Sequence, residues 1–336
     1  MPPPRLAAHV TTLAILLGAA AVHGASAPSP ASAATGDSVA TIAPTRVAMR
    51  NVNFYVAPDV VLRIRHLQGT MRSKDGGPVV FDDKHSFVLQ LDDAEVGLTG
   101  KDLSALMNGY VFNYKGSPLS HLSVRMSGSE LVQKGLLRKG VSIPFEIHAQ
   151  VSVTPEGLIR LHPTKTLIFG VNGETLLDAL HLKLDRLMDL KGSHGASVKG
   201  NDIFLQPDSL LPAPAIQGRV ASVRVEGDQL VQVFAPAAGV PARALLVPPD
   251  SAAPAYMYYK GGSLRFGKLV MLDADMQIVD LARDASFSFD LDRYKEQLVA
   301  GYSRTLADQG LEVFMRDVDD LATHVAAAQP PFTAGH

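Results

Sequence analysis

The side chains that could carry catalysis are dispersed along this chain. The sequence contains no Gly-x-Ser-x-Gly hydrolase motif, no His-Glu-x-x-His zinc motif and no glycine-rich phosphate loop. It also contains no cysteine, which excludes disulfides, thiol catalysis and zinc-thiolate sites. The sequence therefore predicts no catalytic residue, no metal site and no cofactor.

Two acidic pairs are the nearest approach to a metal-ligating pattern. Asp92 and Asp93 coincide with a one-residue slip in the alternation of apolar residues, and a β-bulge explains such a slip better than a metal site does. Asp273 and Asp275 lie in the opposite phase to the apolar residues around them, as expected for the solvated face of a strand. Both pairs therefore favour a structural role.

Composition sets the class of protein. Hydrophobic residues make up 46% of the 336 residues, enough for a core of one large domain or two modest ones. The formal net charge of −2 gives no support for nucleic-acid binding.

The N-terminus has the pattern of an export signal. Arg5 precedes an apolar stretch rich in alanine, and small residues follow. We assign residues 1–33 to a signal peptide and leader and residues 34–44 to a flexible leader. A membrane anchor is the alternative, although the apolar run is shorter than the roughly 20 residues of a span. No later segment is apolar enough to cross a bilayer, so the mature protein is expected in the periplasm.

The remaining pattern predicts an α+β fold with a long, strongly bent antiparallel sheet wrapped around two or three apolar helices. Helical spacing predicts a first helix over Lys101–Val111, a central helix within Thr166–Gly192 and a third over Leu291–Leu306. A strand meander begins at Leu119 and includes an unusually long strand, Val141–Val153; a second very long strand is predicted from Leu264 to Ile278.

The predicted organisation after the leader has four parts. Residues 45–234 form the main domain, and residues 235–255, rich in proline and alanine, form a linker or long surface loop. Residues 256–316 form a strand–helix extension packed on the same sheet, and residues 317–336 a C-terminal tail.

The order of elements resembles the tubular lipid-binding (BPI-like) superfamily, in particular its small exported bacterial members. Four stretches carry the resemblance, namely Val96–Asn108, Gly140–Leu161, Thr166–Gly192 and Val198–Pro207. The resemblance implies a non-enzymatic protein in which a helix lies on the concave side of a bent sheet and apolar side chains line the ligand-binding site. The predicted lining consists of Leu103, Met107, Val111, Phe145, Ile147, Leu177, Leu180, Leu184 and Met188.

We therefore predict a protein of the cell envelope that binds a lipid or lipid-like molecule, with an envelope protein as a further partner. The same alternation also suits a closed core, which would indicate a structural or adaptor protein acting through protein contacts. A third hypothesis is a hydrolase with an unrecognised site around His121, His148 or His162.

Overall fold

The computed structural model describes residues 43–172, 190–236, 239, 241 and 243–321. Strands account for 53% of the structure and helices for 10%. Within the described ranges, one helix reaches seven residues, Gly100–Leu106. The predicted α+β fold, a single sheet wrapped around two or three helices, is therefore wrong: the described part of the protein is mostly β, with three sheets. Most of the predicted central helix falls on residues 173–189, which lie outside the described residues.

Strands are numbered in chain order. They are β1 (Thr45–Ala57), β2 (Val60–Ser73), β3 (Val79–Val80), β4 (Phe87–Thr99), β5 (Leu119–Ser127), β6 (Glu130–Lys139), β7 (Val141–Val153), β8 (Ile159–Ile168), β9 (Val171–Asn172), β10 (Ala196–Lys199), β11 (Asp202–Leu205), β12 (Ala215–Gln217), β13 (Val220–Glu226), β14 (Gln229–Phe234), β15 (Tyr256–Lys260), β16 (Leu264–Phe266), β17 (Leu269–Met271), β18 (Asp275–Asp280), β19 (Phe287–Asp290), β20 (Tyr302–Thr305) and β21 (Leu311–Met315). The helices are α1 (Gly100–Leu106), continued by a π-helical turn at Met107–Val111, α2 (Pro207–Leu210), α3 (Tyr294–Val299) and a 3₁₀ turn at Val318–Asp320.

The strands form a large, a second and a small sheet. The large sheet has the order β13-β14-β4-β2-β1-β15-β18-β21-β20, with β12 beside β4 and β19 beside β1. The second sheet has the order β10-β11-β8-β7-β6-β5, with β9 beside β8, and the small sheet the order β17-β16-β3. Most pairings are antiparallel, as predicted, but β12–β4, β19–β1, β16–β3 and β18–β21 are parallel.

The predicted bulge at the Asp92–Asp93 pair is confirmed. Gln68 pairs with Asp93 and Gly69 pairs with Leu91, so Asp92 is the extra residue on β4. The bulge restores the phase of the apolar side chains, which then face the core on both sides of it.

Three of the predicted strands of the meander and the first helix are also confirmed. The chain passes through β5, β6 and the 13-residue β7 in successive antiparallel pairs. The helix predicted over Lys101–Val111 corresponds to α1 and the π-helical turn. These segments combine strong periodicity with a clear turn or cap at each end.

Two elements near the C-terminal end were predicted wrongly. The long strand from Leu264 to Ile278 is three strands. The chain reverses at Gly267, whose φ of 61° lies in the left-handed region, and residues 272–274 separate β17 from β18. The helix over Leu291–Leu306 is only α3, and the chain then enters β20, where Tyr302 stacks on Phe314 of β21 at 4.6 Å. Pairing with β21 satisfies the backbone of β20, and this tertiary gain overrides the helical spacing.

Candidate functional site

The start of α1 is fixed by a reciprocal cap. The Oγ1 of Thr99 accepts a hydrogen bond from the backbone N–H of Asp102 at 3.3 Å, and the Asp102 carboxylate accepts one from the backbone N–H of Thr99 at 2.8 Å. This capping box satisfies two backbone donors that a helix otherwise leaves without a partner. It sets the point at which β4 ends and the helix begins.

The Asp102 carboxylate also joins α1 to β2. It accepts a hydrogen bond from the backbone N–H of Val61 at 3.1 Å and forms an ion pair with Arg63. Burial acts to raise the pKa of this carboxyl group, but the hydrogen bonds from Thr99, Val61 and Arg63 outweigh burial and hold the pKa below its ordinary value. Asp102 is therefore a charged anchor beneath the helix.

Polar side chains of α1 and the π-helical turn complete the open edge of β5. The amide of Asn108 donates to the carbonyl oxygen of Leu122 at 2.6 Å and accepts from its N–H at 2.9 Å. The hydroxyl of Ser104 accepts from the N–H of Val124 at 2.8 Å. These bonds imitate those of a neighbouring strand, so the helix protects the edge and is held against the second sheet.

An apolar cavity of about 60 Å³, the main cavity, lies beside α1. Strands of the large sheet, β8 and β11 of the second sheet, and α2 contribute to its wall. Of its 22 lining residues, Asp208 and Gln232 are polar. The full lining is Met49, Phe54, Leu62, Ile64, Leu67, Leu89, Leu91, Val96, Leu98, Leu103, Leu106, Met107, Ile159, Leu205, Pro207, Asp208, Leu210, Leu211, Ile216, Leu230, Gln232 and Phe234.

Two further cavities adjoin the main cavity and share lining side chains with it. A cavity of about 20 Å³ shares Met107 and Leu205 with it and extends between Phe145, Ile147 and Leu190. A more open cavity of about 310 Å³ shares Leu106. The open cavity is lined by Ala57, Pro58, Asp59, Val60, Ala105, Leu106, Gly109, Tyr110 and Pro212. We call the three cavities together the apolar seam.

The described members of the predicted lining fall into two groups. Leu103 and Met107 line the main cavity, and Met107, Phe145 and Ile147 line the small one. Val111 is fully buried in the core and lines none of the three cavities. The remaining predicted residues, Leu177, Leu180, Leu184 and Met188, lie outside the described residues.

The sequence did not reveal most of the main cavity's wall. Leu62 and Ile64 of β2, and Leu89 and Leu91 of β4, alternate with polar residues and were recognisable as strand residues with one buried face. Alternation shows that a face is buried but not which element covers it. Leu210 in the short helix α2 had no periodic signal.

One carboxylate lies at the wall of the main cavity. The surrounding protein removes part of the hydration of Asp208 and raises its pKa, while a hydrogen bond of 3.2 Å from the N–H of Gly218 acts in the opposite direction. Its neighbours along the chain in the wall, Pro207, Leu210 and Leu211, are apolar, so Asp208 places a carboxyl group in an otherwise apolar part of the lining.

The histidines of the hydrolase hypothesis are not brought together with this seam. His148 contacts Glu146 at 2.9 Å, on the face of β7 opposite to Phe145 and Ile147. His162 pairs with Asp202 at 2.7 Å, and His121 has a φ of 53° in β5. Among the described residues, no group of three or more His, Asp or Glu side chains is arranged to hold a metal ion.

None of the helices in the described ranges has the length and apolar content to span a membrane. Comparisons of the chain with models of protein families, with curated proteins and with solved structures gave no match. The resemblance to the tubular lipid-binding superfamily therefore stays a prediction from the sequence.

Proposed function

We propose that this protein is exported and binds an apolar, lipid-like ligand non-covalently in the apolar seam, without catalysis. The observation that supports the proposal best is the wall of the main cavity, in which 20 of 22 lining residues are apolar. The basic, apolar and small-residue order of residues 1–33 supports export.

The chemistry of the main cavity favours an apolar occupant over water. A buried water needs two to four polar partners, and a wall of leucine, isoleucine, methionine and phenylalanine side chains offers almost none. An alkyl chain needs no such partner, and each methylene removed from water contributes about 0.8 kcal/mol. About five buried methylenes would offset the lower limit of roughly 4 kcal/mol for the entropy lost on binding, which requires the open cavity of the seam as well as the main one.

The seam also contains side chains that can adapt to an occupant. Met49 and Met107 lie in the wall, and the unbranched methionine side chain repacks around irregular shapes more easily than leucine does. Leu106 lines both the main cavity and the open one, and we propose that a rotation of this side chain connects the two. The open cavity is therefore the proposed way in, between Pro58, Tyr110 and Pro212.

The test combines extraction with binding. Purified protein would be extracted with organic solvent for mass spectrometry, and 1-N-phenylnaphthylamine would be titrated into the protein stripped of lipid. We expect a co-purifying lipid, saturable fluorescence enhancement of the probe, and displacement of the probe by fatty acids. Leu106→Phe narrows the seam and should weaken probe binding about fivefold.

The matched control is Leu137→Phe, a similar change at a buried leucine of β6 that lines none of the three cavities. Folding of both variants would be checked by circular dichroism. If no lipid is extracted and the probe does not bind, the closed-core adaptor hypothesis replaces this proposal. Equal weakening by both substitutions would show that the probe reports on stability and not on the seam.

A further inference from the structure

The hairpin of β16 and β17 exposes apolar side chains to solvent. Leu269 and Val270 are each 46% exposed, and Leu272, directly after β17, is 81% exposed. Leu264 and Phe266, on the first strand of the same hairpin, are buried and hold it against the protein. Leu269 pairs with Phe266 and therefore lies at the rim of this anchored face, whereas Val270 points to the opposite face. Together with Leu272, Val270 forms the exposed apolar surface of the hairpin.

Two cations accompany these apolar side chains. Arg265 pairs across the hairpin with Val270, so the two side chains lie on the same face. Lys268 occupies the turn next to Leu269. Both cations are exposed, and neither forms an ion pair or a side-chain hydrogen bond with any residue in the described ranges.

Two carboxylates on the elements packed against the hairpin already have cationic partners. Asp82 follows β3, which pairs with β16, and Asp292 precedes α3, whose Tyr294 packs on Phe266 at 5.0 Å. The ion pairs are Lys295–Asp82 at 3.6 Å and Lys84–Asp292 at 2.5 Å.

Asp273 is a third carboxylate near the hairpin, and it lies towards β15. A Cβ atom on Gly261 would lie 3.9 Å from its Oδ1. The pKa of Lys260 is raised, first by its hydrogen bond to Asp275 and further by the charges of Asp275 and Asp273. The charge of Asp273 thus acts on Lys260, and the apolar surface of the hairpin carries two unpaired positive charges.

We propose that this hairpin docks the protein on the surface of a membrane that contains anionic lipids. Val270 and Leu272 would enter the boundary between headgroups and acyl chains, and Arg265 and Lys268 would lie among the lipid phosphates. Apolar side chains flanked by cations are the combination that binds such surfaces. This surface is separate from the apolar seam, so the inference does not depend on a ligand there.

The test is vesicle flotation of the full chain at low ionic strength. Vesicles of phosphatidylcholine would be compared with vesicles containing 30% phosphatidylglycerol, and we expect clearly tighter binding to the second. Each cation near an anionic surface contributes about fivefold, so Arg265→Gln with Lys268→Gln should weaken binding to the anionic vesicles by roughly thirtyfold. Val270→Ser with Leu272→Ser should weaken binding to both kinds of vesicle.

Matched controls use the same residue types elsewhere. Leu245→Ser with Val247→Ser replaces two apolar side chains that are 72% and 67% exposed. Arg138→Gln with Lys165→Gln removes two other exposed cations. Neither control pair should change vesicle binding by more than about twofold.

Two results would overturn the proposal. The first is vesicle binding that the hairpin variants and the controls weaken equally, because binding would then not use the hairpin. The second is a concentration-dependent dimer that the hairpin variants abolish, with no vesicle binding, because β17 is the terminal strand of the small sheet and its edge would then pair with a second copy.

Discussion

Replacing Asp102 by alanine should lower the free energy of unfolding by about 3 kcal/mol at pH 7. The substitution leaves the N–H groups of Thr99 and Val61 without their acceptor and Arg63 without its counter-ion. Breaking a buried ion pair destabilises by about 3–5 kcal/mol. The Asp102 side chain is 3% exposed but that of Arg63 is 31% exposed, so water can rehydrate the arginine and the lower value applies.

Replacing Asp102 by asparagine removes the negative charge but keeps the shape of the side chain. Asparagine keeps one acceptor oxygen, and hydrogen bonds to a charged acceptor are roughly twice as strong as neutral ones, so about half of the loss is expected. The pKa of Asp102 is lowered in the folded protein. Its charge therefore contributes fully to stability above the ordinary carboxyl pKa of about 3.9, and this contribution is lost as the pH falls below that value.

Urea denaturation followed by far-ultraviolet circular dichroism measures both effects. The difference in unfolding free energy between the wild type and Asp102→Asn should be constant from pH 7 to pH 5 and should shrink towards pH 3. Asp228→Asn, at an exposed position in the turn between β13 and β14, is the control. A loss below 1 kcal/mol for Asp102→Ala, or a difference for Asp102→Asn that does not change at low pH, would refute the anchoring role.

Two further predictions concern other parts of the large sheet. Burial, and after it the charge of nearby carboxylates, raises the pKa of Asp317 to about 7, although the N–H of Ser288 donates a hydrogen bond to it. The free energy of unfolding should therefore fall as the pH rises from 4 to 7, and Asp317→Asn should raise the melting temperature at pH 8 but not at pH 4. An equal gain at both pH values would contradict this prediction. A Cβ on Gly69 would lie 2.3 Å from the carbonyl oxygen of Gln90, so Gly69→Ala should destabilise by roughly 2 kcal/mol in urea denaturation. Gly77→Ala, which meets nothing within 4 Å, should change the midpoint little, and equal effects would argue against the close approach.

The sequence predicted some elements well because residues close together in the chain determine them. The alternation of Val141–Val153 and the helical spacing after Thr99 each end at a turn or a cap, and both elements form. The slip at Asp92 is likewise visible in the apolar phase and corresponds to a bulge. In these segments propensity, periodicity and turn chemistry agree.

The fold class could not be predicted in the same way, because it depends on pairing between distant strands. The large sheet places β15 beside β1 and β21 beside β18, and no local pattern encodes these neighbours. In the segment around Tyr302, the spacing of apolar residues is compatible with a helix and with a strand. The stacking of Tyr302 on Phe314 favours the strand. The wall of the main cavity has the same origin, since it joins strands from two sheets.

The helix α1 connects stability with the proposed function. Asp102 holds its first turn to β2, Ser104 and Asn108 complete the edge of β5, and Leu103 and Leu106 line the main cavity. The polar face of this short helix thus holds it to β2 and β5, and its apolar face lines part of the seam. A variant that loosens the polar face without unfolding the protein, such as Asp102→Asn at pH 7, should therefore also alter the affinity for an apolar probe. A purely structural helix would leave the probe affinity unchanged.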